Sequence, residues 1–212
     1  MNTARTKRKT TTAKSLKRSQ SPKRAERRLE IVQAAYRTLA EKGFEGLRMR
    51  DIAQRAGIDH STLHYYFAGK EALIDAIVDY IVEDLAVGRS PVAESEEVSP
   101  RLRLTAHFDA LIKQLQKTPE MFVVLAELNT RAMREPLLRA IFNKNDRKWK
   151  SFLTEVLVSG TQRNELKGNF VPEVAAEAII SLIRGLTITC AGRPELMRRP
   201  LYQVLTWLEG AS

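Results

Sequence analysis

The stretch from Met49 to Tyr66, MRDIAQRAGIDHSTLHYY, constrains the fold more than any other part of the chain. Two short helical segments, about Arg48 to Arg55 and about His60 to Tyr66, meet at Gly57, where the absence of a side chain lets the backbone turn tightly. Ala53 and Ala56 are small where the second segment must cross the first. Ile52, Ile58 and Leu63 supply apolar contacts around that crossing, and Tyr66 and Phe67 extend it. Asp59 stands where a carboxylate can accept hydrogen bonds from the exposed N–H groups of a first helical turn. A small residue, a glycine four later, an apolar residue after the turn and another five on is the spacing of a helix-turn-helix.

The surroundings are helical too. Val32, Ala35, Tyr36 and Leu39 mark a first helix over about 23–41 that stops at Gly43. After Gly69, Leu73, Ile77, Tyr80, Ile81 and Leu85 lie on one side of a longer helix, and residues 88–100, with two prolines, serines and glutamates, read as a loop. Apolar stripes then resume up to Pro119, up to Pro136, over about 137–163 and 172–191, and finally over about 199–209. Nothing alternates with period two over a useful length, which predicts an all-α protein. The expected organisation is a basic arm (1–22), a helix-turn-helix domain (23–70), a connecting helix (71–87) and a helical C-terminal domain (88–212).

Charge separates the arm from the rest. The 212-residue chain has a formal net charge of +10, and residues 1–28 carry eleven Lys or Arg against Glu26 alone, so this segment holds the whole excess. A Thr/Ser-rich basic segment with almost no apolar side chains cannot bury enough surface to fold alone and is expected to be disordered in isolation. It suits a polyanion, nucleic acid before an anionic membrane surface. No run of about 18 apolar residues and no apolar stretch after the N-terminal charges are present, so neither a membrane span nor a secretory signal is expected, and a cytoplasmic, nucleoid-associated location follows by elimination. Cys190 is the single cysteine, lies in the apolar run LTITCAG, and reads as a small core residue.

The wider sequence RDIAQRAGIDHSTLHYYFAGKEAL, preceded by EKGFEGL and followed by an all-helical body, closely resembles the TetR family of bacterial transcription regulators over about residues 26–80. The resemblance implies an N-terminal DNA-binding head and a C-terminal domain that dimerises and binds a small effector, with most members repressing transcription until the effector releases them. It makes the third helix the recognition helix, with His60, Ser61, His64 and Tyr65 facing the major groove, where imidazole and phenol groups can bond base edges and pack on a thymine methyl. Tyr66 and Lys70 match positions that hold phosphate. Arg50 matches an arginine that reaches a base or the backbone, and Thr62 supports the helix and touches phosphate at most. Arg48 stands where the family often has Ser or Thr; the missing hydroxyl cap would cost that helix about 1 kcal/mol, while the arginine offers a phosphate contact. The arm resembles extensions that some members lay into the adjacent minor groove.

His60 and His64, four apart, share a helix face as a zinc-binding pair would. A zinc site needs three or four ligands, however, and the metalloprotease pattern has Glu where Ser61 stands; Asp59 and Glu71 have no ligand spacing. No metal and no cofactor are expected. No nucleophile with a paired base, phosphate loop or evident carboxylate pair appears either, so the chain is not expected to be an enzyme.

In the body, His107, Phe108, Met121, Leu125, Asn129, Trp149 and Phe152 combine apolar and aromatic groups at helical spacing with two polar ones, and are the candidate effector-binding residues. By resemblance, Ala175, Ile179, Leu182, Ile183, Leu201, Leu205 and Leu208 of the last two helices would form a two-fold dimer interface. The expected partners are a palindromic double-stranded operator, a second copy of the chain and an unidentified small-molecule effector, with no membrane. The alternative is an architectural or interaction protein with the same head and no effector.

Overall fold

A computed structural model of the protein describes residues 22–87, 91–190 and 192–210; the predicted basic arm up to residue 21 lies outside them. Among the described residues there are ten α-helices and no strand: α1 (Pro22–Lys42), α2 (Met49–Arg55), α3 (His60–Tyr66), α4 (Lys70–Val87), α5 (Pro91–Glu94), α6 (Pro100–Lys117), α7 (Pro119–Ala132), α8 (Pro136–Gln162), α9 (Pro172–Thr189) and α10 (Arg198–Glu209). Two 3-10 turns, Phe44–Gly46 and Pro194–Met197, join neighbours. All eight prolines of the sequence open a helix or 3-10 turn or sit in its first turn, where the missing N–H has no intrahelical acceptor to lose. The prolines therefore punctuate the chain, and Pro22 belongs to α1 rather than to the arm.

The head is built as its residues dictate. The backbone at Gly57 has φ of 64°, and the chain leaves α2 through bonds from Gly57 N to Gln54 O and from Ile58 N to Ala53 O, the wrap that satisfies the last carbonyls of a helix ending in a left-handed glycine. Ile52, Ala53 and Leu63 are buried at the α2–α3 crossing, and Phe67 closes it below. From α1, Ile31, Val32, Ala35 and Leu39 cover the same core.

Helix α4 joins head to body. It buries Leu73, Ile74, Ala76, Ile77, Val78 and Ile81, a set too broad for one face, because the helix packs on α1 on the head side and on α8 on the body side. Lys144 of α8 pairs with Asp75 (3.8 Å) and Asp79 (3.5 Å) along its exposed edge. Head and body thus share one continuous apolar cluster, which runs on through Leu104, Phe108, Leu128, Leu153 and Leu157 to Leu201 and Leu205.

The segment 88–100 is not wholly a loop. Its residues 91–94 form α5, whose single turn is too short to leave a periodic stripe in the sequence. Ala93 is fully buried, and its carbonyl accepts a bond from Arg103 Nε (3.0 Å); the buried Arg103 also pairs with Glu155 of α8 at 3.0 Å. Cys190 is buried, in keeping with a small core residue. No helix among the described residues is long and apolar enough to cross a membrane.

Candidate nucleic-acid interface

Helix α3 starts where Asp59 ends the turn. The Asp59 carboxylate accepts from the Thr62 N–H (2.7 Å), from the Thr62 hydroxyl (2.8 Å) and from the Ser61 hydroxyl (2.5 Å). The Ser61 and Thr62 hydroxyls therefore donate back to the cap, and only their lone pairs are left to face outward. Donation by Ser61 foremost, then by the Thr62 backbone and side chain, pulls the Asp59 carboxyl down to about 2. Because the folded value lies below the ordinary one near 4, the cap's contribution is complete above about pH 4 and is lost as pH falls towards 2. An NMR titration should find the Thr62 amide moving near pH 2 in the wild type and acid-insensitive in Asp59→Asn. A Thr62 transition near pH 4 in the wild type would show that the three donors do not act on the ionised cap.

Past the cap, α3 sorts its side chains cleanly. Leu63 and Phe67 are 0% and 2% exposed, whereas His60, Ser61 and His64 are on the surface and Tyr65 is 65% exposed. The His60 and His64 rings meet edge to face with centroids 4.5 Å apart. No group of three or more metal-ligating side chains occurs among the described residues. Tyr66 is half-buried against the core and stacks edge-on with Tyr65.

The first turns of α1 flank this face, a placement that sequence reasoning missed by assigning their charges to the tail. The Arg24 guanidinium lies 5.0 Å from the Tyr65 ring centroid and that of Arg28 lies 4.8 Å from Phe67, while Arg27 donates to the Gly57 carbonyl (3.4 Å). Their positions 24, 27, 28 and the buried 31 have helical spacing, which was the available signal. Arg48 is the residue before α2 and makes no side-chain cap, as expected from the missing hydroxyl; both it and Arg50 are exposed. Lys70 is turned inward: its ammonium donates to the Phe44 carbonyl (3.4 Å) and sits 4.0 Å from the Phe44 ring centroid, and burial lowers its pKa.

Four of the predicted effector residues come together in the body. Trp149 Nε1–H donates to His107 Nε2 (3.0 Å), and the His107 ring lies 5.3 Å from Phe152, 6.0 Å from Trp149 and 6.1 Å from Phe108. Acceptance at Nε2 assigns the His107 proton to Nδ1. Met121, Leu125 and Asn129 lie on α7; Met121 is buried, and the Asn129 amide donates to the Leu125 carbonyl of its own helix (2.9 Å). Two surface clefts lie elsewhere. One, of about 420 Å³, is lined by Arg147, Lys150, Ser151, Thr154 and Glu155; the other, of about 500 Å³, by Glu127, Thr130, Arg131, Arg134 and Glu135.

Of the predicted dimer residues, Ile179, Ile183, Leu201, Leu205 and Leu208 are at most 5% exposed in the single chain and pack into the protomer's own core, while Ala175 and Leu182 are half-buried at the edge. The outward face of α9 is a different stripe. Val171, just before the helix, then Val174, Ala178, Ser181, Gly185 and Ile188 are all exposed and recur at alternating steps of three and four, and Trp207 of α10 is 65% exposed. The stripe that faces inward is mostly Ile and Leu, whereas the outward one mixes Val and Ile with the small Ala178, Ser181 and Gly185.

Two family patterns match the chain. Residues 31–77 match the bacterial regulatory proteins of the tetR family, and residues 100–206, half the chain, match the C-terminal domain of BetI-type transcriptional repressors. The protein belongs to the TetR family. Among similar TetR-family members is the HTH-type transcriptional regulator BetI of Burkholderia cenocepacia, 27% identical over 79% of this chain and 84% of that one. A TetR-family transcriptional regulator from Rhodococcus sp. superposes with a TM-score of 0.77 at 26% identity, over 87% of this chain and 99% of its own. A transcriptional regulator from Saccharomonospora viridis, solved in complex with choline, shares the fold with a TM-score of 0.72 at 22% identity, over 84% and 95%. As a TetR-family member, the protein is a DNA-binding transcription regulator whose helix-turn-helix is α2–α3.

Proposed function

We propose that the protein is a homodimeric repressor that holds a palindromic operator with two copies of α3 and lets go when a small molecule binds the body. The observation that carries this reading is the sorting of α3, with Leu63 and Phe67 anchored inside and His60, His64 and Tyr65 presented outward. In this reading His60, His64 and Tyr65 bond base edges in the major groove, with the lone pairs of Ser61 and Thr62 beside them. Arg48, Arg50, Tyr66 and Lys70 hold phosphates, Lys70 after swinging off Phe44, and Arg24 steadies Tyr65. The outward stripe of α9 and Trp207 of α10 pair with their copies in the partner, which sets the two recognition helices about 34–36 Å apart or at a multiple of that spacing.

For the effector, the choline held by a neighbour of the same fold and the cluster of His107, Phe108, Trp149 and Phe152 favour a quaternary ammonium compound, since aromatic faces attract such cations. Binding has to loosen the packing of that cluster and favour a dimer in which the heads no longer fit successive grooves, because only a difference in affinity between two states releases DNA.

The experiment begins with selection of an operator from random duplex DNA by the full-length protein. Tyr65→Ala is then expected to weaken the selected site by about 1–3 kcal/mol and to relax preference at one position per half-site, with an unchanged melting temperature. Unaltered affinity and selectivity would remove α3 from base readout. Choline at 100 times its dissociation constant should stabilise the fold by about 2.7 kcal/mol and lower operator affinity. If choline moves neither quantity, the quaternary ammonium class is wrong and the head reading stands.

A further inference from the structure

Helix α7 belongs to the body, yet it grips the head at the turn that leads into α2. Glu127 Oε1 accepts the Phe44 N–H at 2.7 Å, across 83 residues of sequence. Gly43 has φ of 66°, a backbone conformation that L side chains rarely adopt, so the turn itself calls for glycine, and the Glu127 carboxylate lies in ordinary contact range of it. Arg131, one turn further along α7, holds the neighbouring atoms. Its guanidinium carbon is 4.0 Å from the Phe44 ring centroid, and its N–H groups pair with Glu45 and, at 3.4 Å, with Glu135. The Phe44 side chain is buried, so backbone, ring and the adjoining carboxylate are fixed to α7 together.

The link from this turn to the recognition helix has no slack. Gly46 N donates to Gly43 O (3.2 Å), Leu47 N to Phe44 O (3.1 Å) and Arg48 N to Gly46 O (2.9 Å), and α2 begins at Met49 with Leu47 buried beneath it. Helix α2 then carries α3 rigidly through the Gly57 turn and the Leu63 crossing. The bond is part-buried and charge-assisted, short at 2.7 Å, so Phe44 follows Glu127 while it is made.

We propose that Glu127 and Arg131 are positioning residues for operator binding, which set the angle between each head and the body and thereby the half-site spacing that the dimer accepts. The proposal rests on the dimeric operator reading above. In a two-fold dimer the bodies are joined, so a tilt of each head about the α7 tie moves the two recognition helices apart or together without altering what either reads. Base preference within a half-site belongs to α3, whereas tolerance of spacing belongs to the tie.

The test uses the full-length dimer and the selected operator, together with versions carrying one base pair more or one fewer at the centre. Wild-type protein is expected to lose at least tenfold in affinity on either change. Glu127→Ala should bind the selected operator about five- to tenfold more weakly, and its penalty for altered spacing should shrink to twofold or less, with unchanged base preference inside each half-site. Glu127→Gln, which keeps an acceptor oxygen for the Phe44 N–H, should restore the spacing penalty. Arg131→Gln keeps the Glu127 acceptor for the Phe44 N–H but removes the 4.0 Å ion pair between Arg131 and that carboxylate along with the Glu45 and Phe44 contacts, and should relax spacing in the same direction by a smaller factor; it carries the test if Glu127→Ala does not fold. A full spacing penalty in Glu127→Ala, or in Arg131→Gln where only that variant folds, overturns the proposal, as does a Glu127→Gln variant as relaxed as the alanine. Failure of the wild type to select any symmetric site would instead sink the dimeric operator reading, and this proposal with it.

Discussion

Truncation of Leu63 to alanine is expected to destabilise the head by about 2–5 kcal/mol and to abolish operator binding, the range for deleting a fully buried leucine side chain. Leu63 is the only buried residue within the seven of α3, and it is completely enclosed. Around it lie the buried Ile52 and Ala53 of α2, Leu47 before that helix and Phe67 after α3. A seven-residue helix has no stability of its own, because nucleation cannot be recovered over so few bonds, so α3 exists only while this side chain is docked. Leu63→Met, which nearly conserves volume, should cost less than about 1.5 kcal/mol and retain binding. Denaturant melts give the stability, and hydrogen exchange at the α3 amides tells whether the loss is confined to the head or spreads through the shared core. A cost below about 1 kcal/mol with unchanged affinity for DNA would mean that Leu63 does not anchor the recognition helix.

The legibility of the head and the illegibility of parts of the body have one physical cause. The turn at Gly57, the Asp59 cap and the burial of Leu63 are decided by residues within a few positions of one another, and the limits of α3 could be read from them directly. Pro119 and Pro136 likewise marked where apolar stripes of the body break off. The direction of Ile183, Leu205 and Leu208 is set differently. A helix in a layered bundle has apolar residues on two sides, and periodicity does not say which side meets its own body; the bulkier stripe filled the protomer core and left Val174, Ala178 and Gly185 outward. The bond between Glu127 and Phe44 joins residues too distant for any local period to encode. Arg24 and Arg28 fall on the predicted first helix of about 23–41 but were counted with the tail's charge because it was summed over 1–28, and only the structure sets these side chains beside Tyr65 and Phe67.

That placement gives the basic arm its largest consequence. The contact of Arg24 with Tyr65 puts the start of α1 next to the face proposed to enter the groove, so in that reading Pro22, to which the arm is joined, lies beside the DNA. Residues 1–21 carry Arg5, Lys7, Arg8, Lys9, Lys14, Lys17 and Arg18 with no Asp or Glu, and a dimer brings two such segments. Each phosphate neutralised by a cation adds about 0.9 to the slope of log affinity against log salt, through release of condensed counterions. If the two arms together cover about four phosphates, deletion of residues 1–21 should flatten that slope by about 3.6, equivalent to roughly 100-fold of affinity between 50 and 200 mM salt. Half-site preferences set by His60, His64 and Tyr65 should survive the deletion, because phosphate contacts carry no sequence information of their own. Preference at the flanking base pairs should fade only if the arms also enter the minor groove, where A·T and G·C pairs are distinguishable. Measuring the slope for the full-length and shortened proteins on one operator separates these contributions. An unchanged slope would reduce the arm to a solubilising tail and leave all phosphate binding to Arg48, Arg50, Tyr66, Lys70 and the first turns of α1.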